Sequence, residues 1–258
     1  MLTDSASAIK YWYFIRLMGK EPSHLAAECA LKTSPNLVII SEECQDRHES
    51  LQDVVNNICD VICKRAEAKQ NYGCIIIPEG LLSHISSFNN LIIEINKLFK
   101  SVKTLQEQEA LQDKLQDDET IKELLSAWSY SLFASLPDFF KTQLLMNREV
   151  EGSIKLAAIE TEKLISYLVD IELKQRKKNG TYSGSFAPVS HYFGYQGRSG
   201  HPSLFDCSLG STSGFAAAVM IEQGLTAMAV SVRNCTQPVS QWRVGGVPII
   251  ALVRSHPK

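Results

Sequence analysis

Two short β-branched runs, Asn36 to Ser41 (NLVIIS) and Gly73 to Ile77 (GCIII), flank an amphipathic segment, and that arrangement narrows the fold more than any other feature. The first run follows a Ser-Pro turn signal and the second ends at Pro78, so both predict short buried parallel strands. Between them Leu51, Val54, Val55, Ile58 and Ile62 recur at helical spacing, and Ser50 with Asp53 makes a capping box at the helix start. Parallel neighbours need a crossover of this kind, which commits the chain to an α/β sheet covered by helices.

After Gly80 the pattern becomes helical. Phe88, Leu91, Ile92, Ile95, Leu98 and Phe99 predict one amphipathic helix, and Ile121, Leu124, Leu125, Trp128, Leu132 and Phe133 predict another. The stretch 101–120 between them carries six acids against two lysines and reads as a solvated helix or loop. A long helix is predicted over Ile154 to Lys178, with Ile159, Leu164, Leu168 and Ile171 inward and Asn179-Gly180 closing it. Its basic end, Lys174, Arg176, Lys177 and Lys178, suits the helix dipole. Strand and helix signals then return: a strand at Val189 to Phe193, an Ala-rich helix at Ser203 to Gly224 and a strand at Ala227 to Val232. The small residues of STSGFAAAV predict a close approach of that helix to the sheet. The expected architecture is an open, mainly parallel sheet with helices on both faces. Residues 1–81 form its first part, 82–150 a helical insertion and 151–258 its second part.

Composition removes several function classes. Lys and Arg number 26 against 28 Asp and Glu, for a net charge of −2, so no global field favours nucleic acid or an anionic membrane. The longest apolar runs, Phe215 to Ile221 and Val247 to Val253, hold seven residues each. A bilayer crossing takes roughly 20, so no membrane span is expected. Asp4 and Lys10 interrupt the start where a secretory signal would be continuously apolar, so a cytoplasmic protein is expected. The seven cysteines form no CxxC pair, and Cys59 and Cys63, four apart on one helix face, read as ordinary thiols in a reducing compartment. No metal site is expected.

Three loops carry chemistry. In Gly194-Tyr195-Gln196-Gly197-Arg198-Ser199-Gly200, glycines recur at every third position after a predicted strand. Glycine lets backbone N–H groups approach an anion, and Arg198 offers a forked cation for phosphate or carboxylate. Glu79, in Ile77-Pro78-Glu79-Gly80, follows a predicted buried strand at the edge where α/β sheets gather ligands; its carboxylate can accept hydrogen bonds from sugar hydroxyls or cap a turn. Arg16-Leu17-Met18-Gly19-Lys20 follows the aromatic run Tyr11-Trp12-Tyr13-Phe14 and reads as a strand entering a glycine turn. Lys20 there can stabilise a transferring phosphoryl group or be simply solvated. Glu42 and Glu43 stand beyond the other strand and read as structural, and His24 near Glu28 as a helix-surface neighbour. For Trp242-Arg243 an ordinary cation–π contact is expected.

The order YWYFIRLMGK, SHLAAECALKTSPNLVIISEE, GCIIIPEG, HYFGYQGRSGHPSLFDC and WRVGGVP resembles the phosphofructokinase superfamily, and within it the long, pyrophosphate-dependent type with a helical insertion. The resemblance covers most of residues 10–254. It implies that Met18, Gly19 and Lys20 occupy the family's Met-Gly-Arg motif, which contacts fructose 6-phosphate, with Lys20 also near the transferring phosphoryl group. By the same resemblance Glu79 binds sugar hydroxyls, and Tyr195 and Arg198 hold the 6-phosphate.

The family's Gly-Gly-Asp-Asp donor loop and its Asp-Gly-Asp catalytic base do not occur in this sequence. The resemblance therefore makes the chain the acceptor-binding C-terminal half of a longer phosphotransferase of glycolysis, inactive by itself. Pyrophosphate and its accompanying Mg2+ would be held through the other half, in a homo- or hetero-oligomer. Lys20 keeps the charge of the family's arginine but not its fork, which also admits a noncatalytic regulatory subunit that binds a sugar phosphate.

Overall fold

Trp12–Leu17 form β1, the aromatic-rich strand, and every one of its side chains is buried. Such burial requires cover on both faces and neighbours on both edges. Parallel β3 (Gly73–Pro78) and parallel β4 (Pro188–Phe193) flank it, and two-residue β2 (Leu37–Val38) extends the sheet on the far side of β3. The order β2-β3-β1-β4 is all parallel, as the strand, helix, strand pattern required. The computed structural model describes residues 1–19, 23–100, 118–146, 148–149, 153–197 and 199–252. It forms two compact units, Met1–Arg198 and Ser199–Lys258.

Alternation along β1 assigns the faces of the first unit. Trp12 and Phe14 belong to a large core with α4 (Leu51–Glu67) and the long helix Thr161–Lys178, whereas Tyr13, Ile15 and Leu17 meet Ala26 and Cys29 of α2 (His24–Thr33). α1 (Leu2–Ala8) joins that second face, and its Asp4 accepts a hydrogen bond from the Tyr13 hydroxyl. The predicted capping box is present: Asp53 N–H donates to Ser50 Oγ and Ser50 N–H donates to the Asp53 carboxylate. The first predicted strand is shorter and less buried than its β-branched run suggested. It lies at the sheet edge, and the chain turns at Ile40 into α3 (Ser41–Asp46).

Beyond β3 come α5 (Leu81–His84), α6 (Ser86–Lys100), α7 (Asp118–Leu124), α8 (Ala127–Ser135) and α9 (Asp138–Met146). The acidic stretch at 101–117 lies outside the described residues. The single helix expected around Ile121 to Phe133 is two, because Ser126 caps α8 and its backbone N–H and hydroxyl both donate to Glu94 of α6. Trp128 consequently faces solvent at 88% exposure. Arg148 fastens this helical part: its guanidinium lies over Phe99 and donates to Asn96 and the Leu144 carbonyl, while Asn96 also accepts from Ile154 N–H. Burial lowers the Arg148 pKa to about 10, which leaves it charged at neutral pH.

The long helix, α10, begins at Thr161 instead of Ile154, since a 3-10 turn at Leu156–Ala158 precedes it. Its buried face is Leu164, Ile165, Val169 and Leu173, and Ile171 is exposed. The basic end is structural: Arg176 pairs with Glu172 and with Asp60 of α4, and Lys174 pairs with Asp170. All seven cysteines are free thiols, and burial pushes Cys59 up to about 12, which fits an inert packed thiol.

In the second unit α11 (Leu204–Glu222) starts at a Ser203–Asp206 capping box, and β5 (Met228–Arg233) pairs antiparallel with β6 (Arg243–Pro248), which runs into α12 (Ile249–Leu252). Trp242 meets Phe205 edge-on with ring centroids 5.5 Å apart and donates to the Gln237 carbonyl. The expected Trp242–Arg243 cation–π contact is replaced by that aromatic pair, because consecutive residues entering β6 project apart. By length and composition α11 could cross a bilayer, although no uninterrupted apolar run revealed it. Serine, threonine and glycine break the runs without making the helix strongly polar.

Gly73, at the first position of β3, tests how tightly the sheet is packed. A Cβ there would come within 2.6 Å of the Trp12 ring and 2.7 Å of Asn36 Oδ1. Gly73→Ala should lower stability by about 1–3 kcal/mol through overpacking, read as a shift in the urea midpoint. An unchanged midpoint would mean that Trp12 and Asn36 yield without cost.

Candidate functional site

The carboxyl ends of β1, β3 and β4 finish side by side, with Leu17 in register with both Pro78 and Phe193. Chain order passes from β1 outward to β2 and then reverses, returning to β3 and crossing β1 to reach β4. Such a reversal opens a crevice at the carboxyl edge. Three of the sequence-predicted loops leave the sheet there.

Two of the loops are fixed by backbone bonds that continue the ladder, and the third by a bond within its own turn. Met18 N–H donates to the Phe193 carbonyl, Glu79 N–H donates to the Leu17 carbonyl, and Gly197 N–H donates to the Gly194 carbonyl in the turn that carries Tyr195. Met18, Phe193 and Gly197 line one small hollow with Leu17, Leu25 and Cys29. Gly19 has φ of 151°, a conformation that L side chains rarely adopt, which accounts for glycine after Met18. The structure therefore brings Met18, Gly19, Glu79 and Tyr195 to one edge of one sheet. Lys20 and Arg198 lie outside the described residues.

Glu79 is only 5% exposed, whereas Tyr195 is 70% exposed. A carboxylate so buried needs hydrogen bonds, and the Tyr192 hydroxyl supplies one at 3.1 Å from Oε2. Burial first, and then the charge of Glu79, raise the Tyr192 pKa, which keeps the phenol protonated and donating at neutral pH. Above the Tyr192 ring sits the Arg16 guanidinium, 3.8 Å from the centroid. Arg16 is itself buried, paired with Glu162 of α10 at 2.6 Å and donating to the Ala157 carbonyl at 3.1 Å. Burial pushes the Glu162 carboxyl upward and the adjacent Arg16 opposes that shift.

Sequence reasoning assigned no role to Arg16, Tyr192 or Glu162. A signal was present for Arg16. Alternation puts it on the same face as Trp12 and Phe14, and a cation on the apolar face of a buried strand demands a partner. Nothing in the sequence identified Glu162 as that partner.

Glu42 has a structural part, as its sequence context suggested. Its Oε1 accepts from Ser23 N–H at 2.9 Å, and Ser41 N–H donates to Ser23 Oγ at 3.0 Å. The chain following the Met18-Gly19 loop is thus tied to the start of α3. Burial alone would raise the Glu42 carboxyl, but hydrogen bonds from Ser23 and the nearby His84 bring it below its usual 4.5. A hollow of about 860 Å³ lies elsewhere, between α6 and α8, lined by Glu94, Trp128 and several serines. The convergence of loops, and not cavity size, locates the candidate site.

No protein-family model matches the chain. It is 40% identical over its whole length to pyrophosphate–fructose 6-phosphate 1-phosphotransferase subunit beta 1 of Arabidopsis thaliana, of which it covers 44%. It is 40% identical over 97% of its length to the pyrophosphate–fructose 6-phosphate 1-phosphotransferase of Treponema pallidum (strain Nichols), covering 43% of that protein. It is 41% identical over 97% of its length to subunit alpha 2 of the Arabidopsis enzyme, covering 39%. The chain thus spans less than half the length of these relatives.

Two outcomes follow from the geometry. Glu162→Ala should cost about 3–5 kcal/mol in urea unfolding, because it strands a buried guanidinium; a loss typical of a surface substitution would show that Arg16 does not depend on the pair. Since the folded pKa of Glu42 lies below its unfolded value, its contribution is present above pH 4.5 and is lost as pH falls through the lower folded value. The stability gap between the wild type and Glu42→Gln should accordingly be widest above pH 4.5 and close on acidification. A gap independent of pH would remove the Glu42–Ser23 clamp as its cause.

Proposed function

Because the chain belongs to the pyrophosphate-dependent phosphofructokinase family, matching its members over 97 to 100% of its own length, we propose that it is the fructose 6-phosphate-binding portion of such an enzyme. The complete protein would reversibly transfer a phosphoryl group from pyrophosphate to the 1-hydroxyl of the sugar. The observation that carries this reading is the buried Glu79 carboxylate, held by Tyr192 beside the Met18-Gly19 loop and the turn bearing Tyr195. One Glu79 oxygen takes the Tyr192 hydrogen bond, and the rest of its acceptor capacity serves sugar hydroxyls. The Tyr195 phenol and the Arg198 guanidinium would hold the 6-phosphate from the adjoining loop, with Arg198 forming charge-assisted hydrogen bonds.

Lys20 would face the transferring group as a point charge. The donor loop and the base that deprotonates the 1-hydroxyl are assigned to polypeptide beyond this sequence, so the isolated chain would bind sugar phosphate without turning it over. Mg2+ would arrive with the donor. Among the described residues no group of three or more His, Cys, Asp or Glu is suited to a metal ion, so no step is assigned to one here. A noncatalytic, sugar-phosphate-binding subunit is the second reading, favoured by Lys20 in place of the family's arginine. The relatives include both alpha and beta subunits at nearly equal identity, which supports assembly into an oligomer without choosing between the two readings.

Calorimetric titration of the chain with fructose 6-phosphate should give saturable binding. Arg198→Ala should weaken it by at least about 1.5 kcal/mol, roughly tenfold, while Glu79→Gln should change preference among sugar phosphates more than affinity for inorganic phosphate. No heat on titration, or a dissociation constant indifferent to Arg198, would overturn the assignment.

A further inference from the structure

Tyr192 reaches Glu79 from two strands away. β1 separates β4 from β3, which puts their backbones about 9–10 Å apart at the usual strand spacing. Arg16 of β1 stands in register with both Ile77 of β3 and Tyr192 of β4. The Tyr192 ring bridges the gap by lying across Arg16, with the guanidinium carbon 3.8 Å from the ring centroid and the hydroxyl 3.1 Å from Glu79 Oε2. A shorter side chain at 192 would not span β1, and an apolar one would bring no donor.

The following loop leaves room for this crossing. Gly194 does not have the positive φ that explains glycine at positions 19 and 180. What a side chain there would meet is Tyr192: a Cβ would stand 3.0 Å from its ring and 3.3 Å from its hydroxyl. Gly197 shows no such crowding, since its Cβ would meet Phe193 at an ordinary 3.4 Å. Glycine at 194 thus clears space for the phenol, a purpose that its place in a glycine-rich loop did not reveal. Among the described residues only the Tyr192 hydroxyl reaches the Glu79 carboxylate, and it does so at Oε2. Resting on the sugar-phosphate reading above, we infer that Tyr192 is a positioning residue and a specificity determinant. By holding Oε2 it presents Oε1 as a fixed acceptor for the sugar hydroxyls. A fixed acceptor penalises a ligand that brings no hydroxyl to it, whereas a carboxylate free to swivel adapts to many. The phosphate is served by the neighbouring turn, so the two ends of the ligand are read separately.

The test is calorimetric titration of the full chain and its variants with fructose 6-phosphate, glucose 6-phosphate and inorganic phosphate. Tyr192→Phe keeps the ring over Arg16 and removes only the hydroxyl. It should weaken fructose 6-phosphate binding about tenfold and narrow the preference over glucose 6-phosphate, while inorganic phosphate stays within about twofold. Because Tyr192 acts through Glu79, the same change should be nearly silent in a Glu79→Leu background, which has no acceptor to hold; the double-mutant cycle then gives a coupling of about tenfold. Where Glu79→Leu does not fold, Glu79→Gln takes its place, since an amide removes the charge that strengthens the Tyr192 bond. Additive losses, an equal loss for inorganic phosphate, or a Tyr192→Phe chain that binds fructose 6-phosphate as the wild type does would each overturn the inference and leave the sugar-phosphate reading standing. A wild-type chain that binds no fructose 6-phosphate would bring down that reading, and this inference with it.

Discussion

A guanidinium buried at the end of the central strand sets the terms for the first unit. Arg16 cannot leave the apolar face that alternation gives it, and an unpaired charge there would be untenable. Glu162, the Ala157 carbonyl and the Tyr192 ring together satisfy it. Meeting that demand draws the start of α10 and the end of β4 onto β1. It also explains why α10 begins only at Thr161, since the preceding turn gives the Ala157 carbonyl to Arg16 instead of to a helical amide. A buried pair of this kind is poor at adding stability, but it discriminates strongly between arrangements, because most alternatives strand one charge.

The same contact reaches the candidate site. Tyr192 lies between the Arg16 guanidinium and the Glu79 carboxylate, so its ring meets the cation and its hydroxyl the anion. Glu79 therefore inherits its position from a chain of contacts that begins in α10. Preorganisation of this sort matters for recognising hydroxyls, whose hydrogen bonds are worth little unless the acceptor is already in place. The glycine at position 19 and the Glu42–Ser23 clamp serve the neighbouring loop in the same way: each fixes backbone on one side of the segment that carries Lys20.

The two units meet the hydrophobic requirement differently. In the first, β1 and β3 are fully buried between helices on both faces. In the second, none of the described residues 199–252 is buried. Position within a layered architecture, more than local composition, decides whether an apolar helix ends up covered.

The parallel sheet, the capped helix after Ser50 and the placing of Glu79 and Tyr195 after strands were legible in the sequence, because periodicity, caps and turn residues act over a few neighbours. The resemblance across several ordered motifs supplied the family. The break at Ser126 escaped that reading, since the helical spacing runs on through it and the interruption comes from Glu94 on another helix. So did the true start of α10, the exposure of Trp128 and the Glu162–Arg16–Tyr192–Glu79 chain. Local pattern determined which segments are strands and helices. Which buried charge meets which partner more than a hundred residues away was decided only in three dimensions, because a cation on an apolar strand face states that it needs a partner but not where that partner will come from.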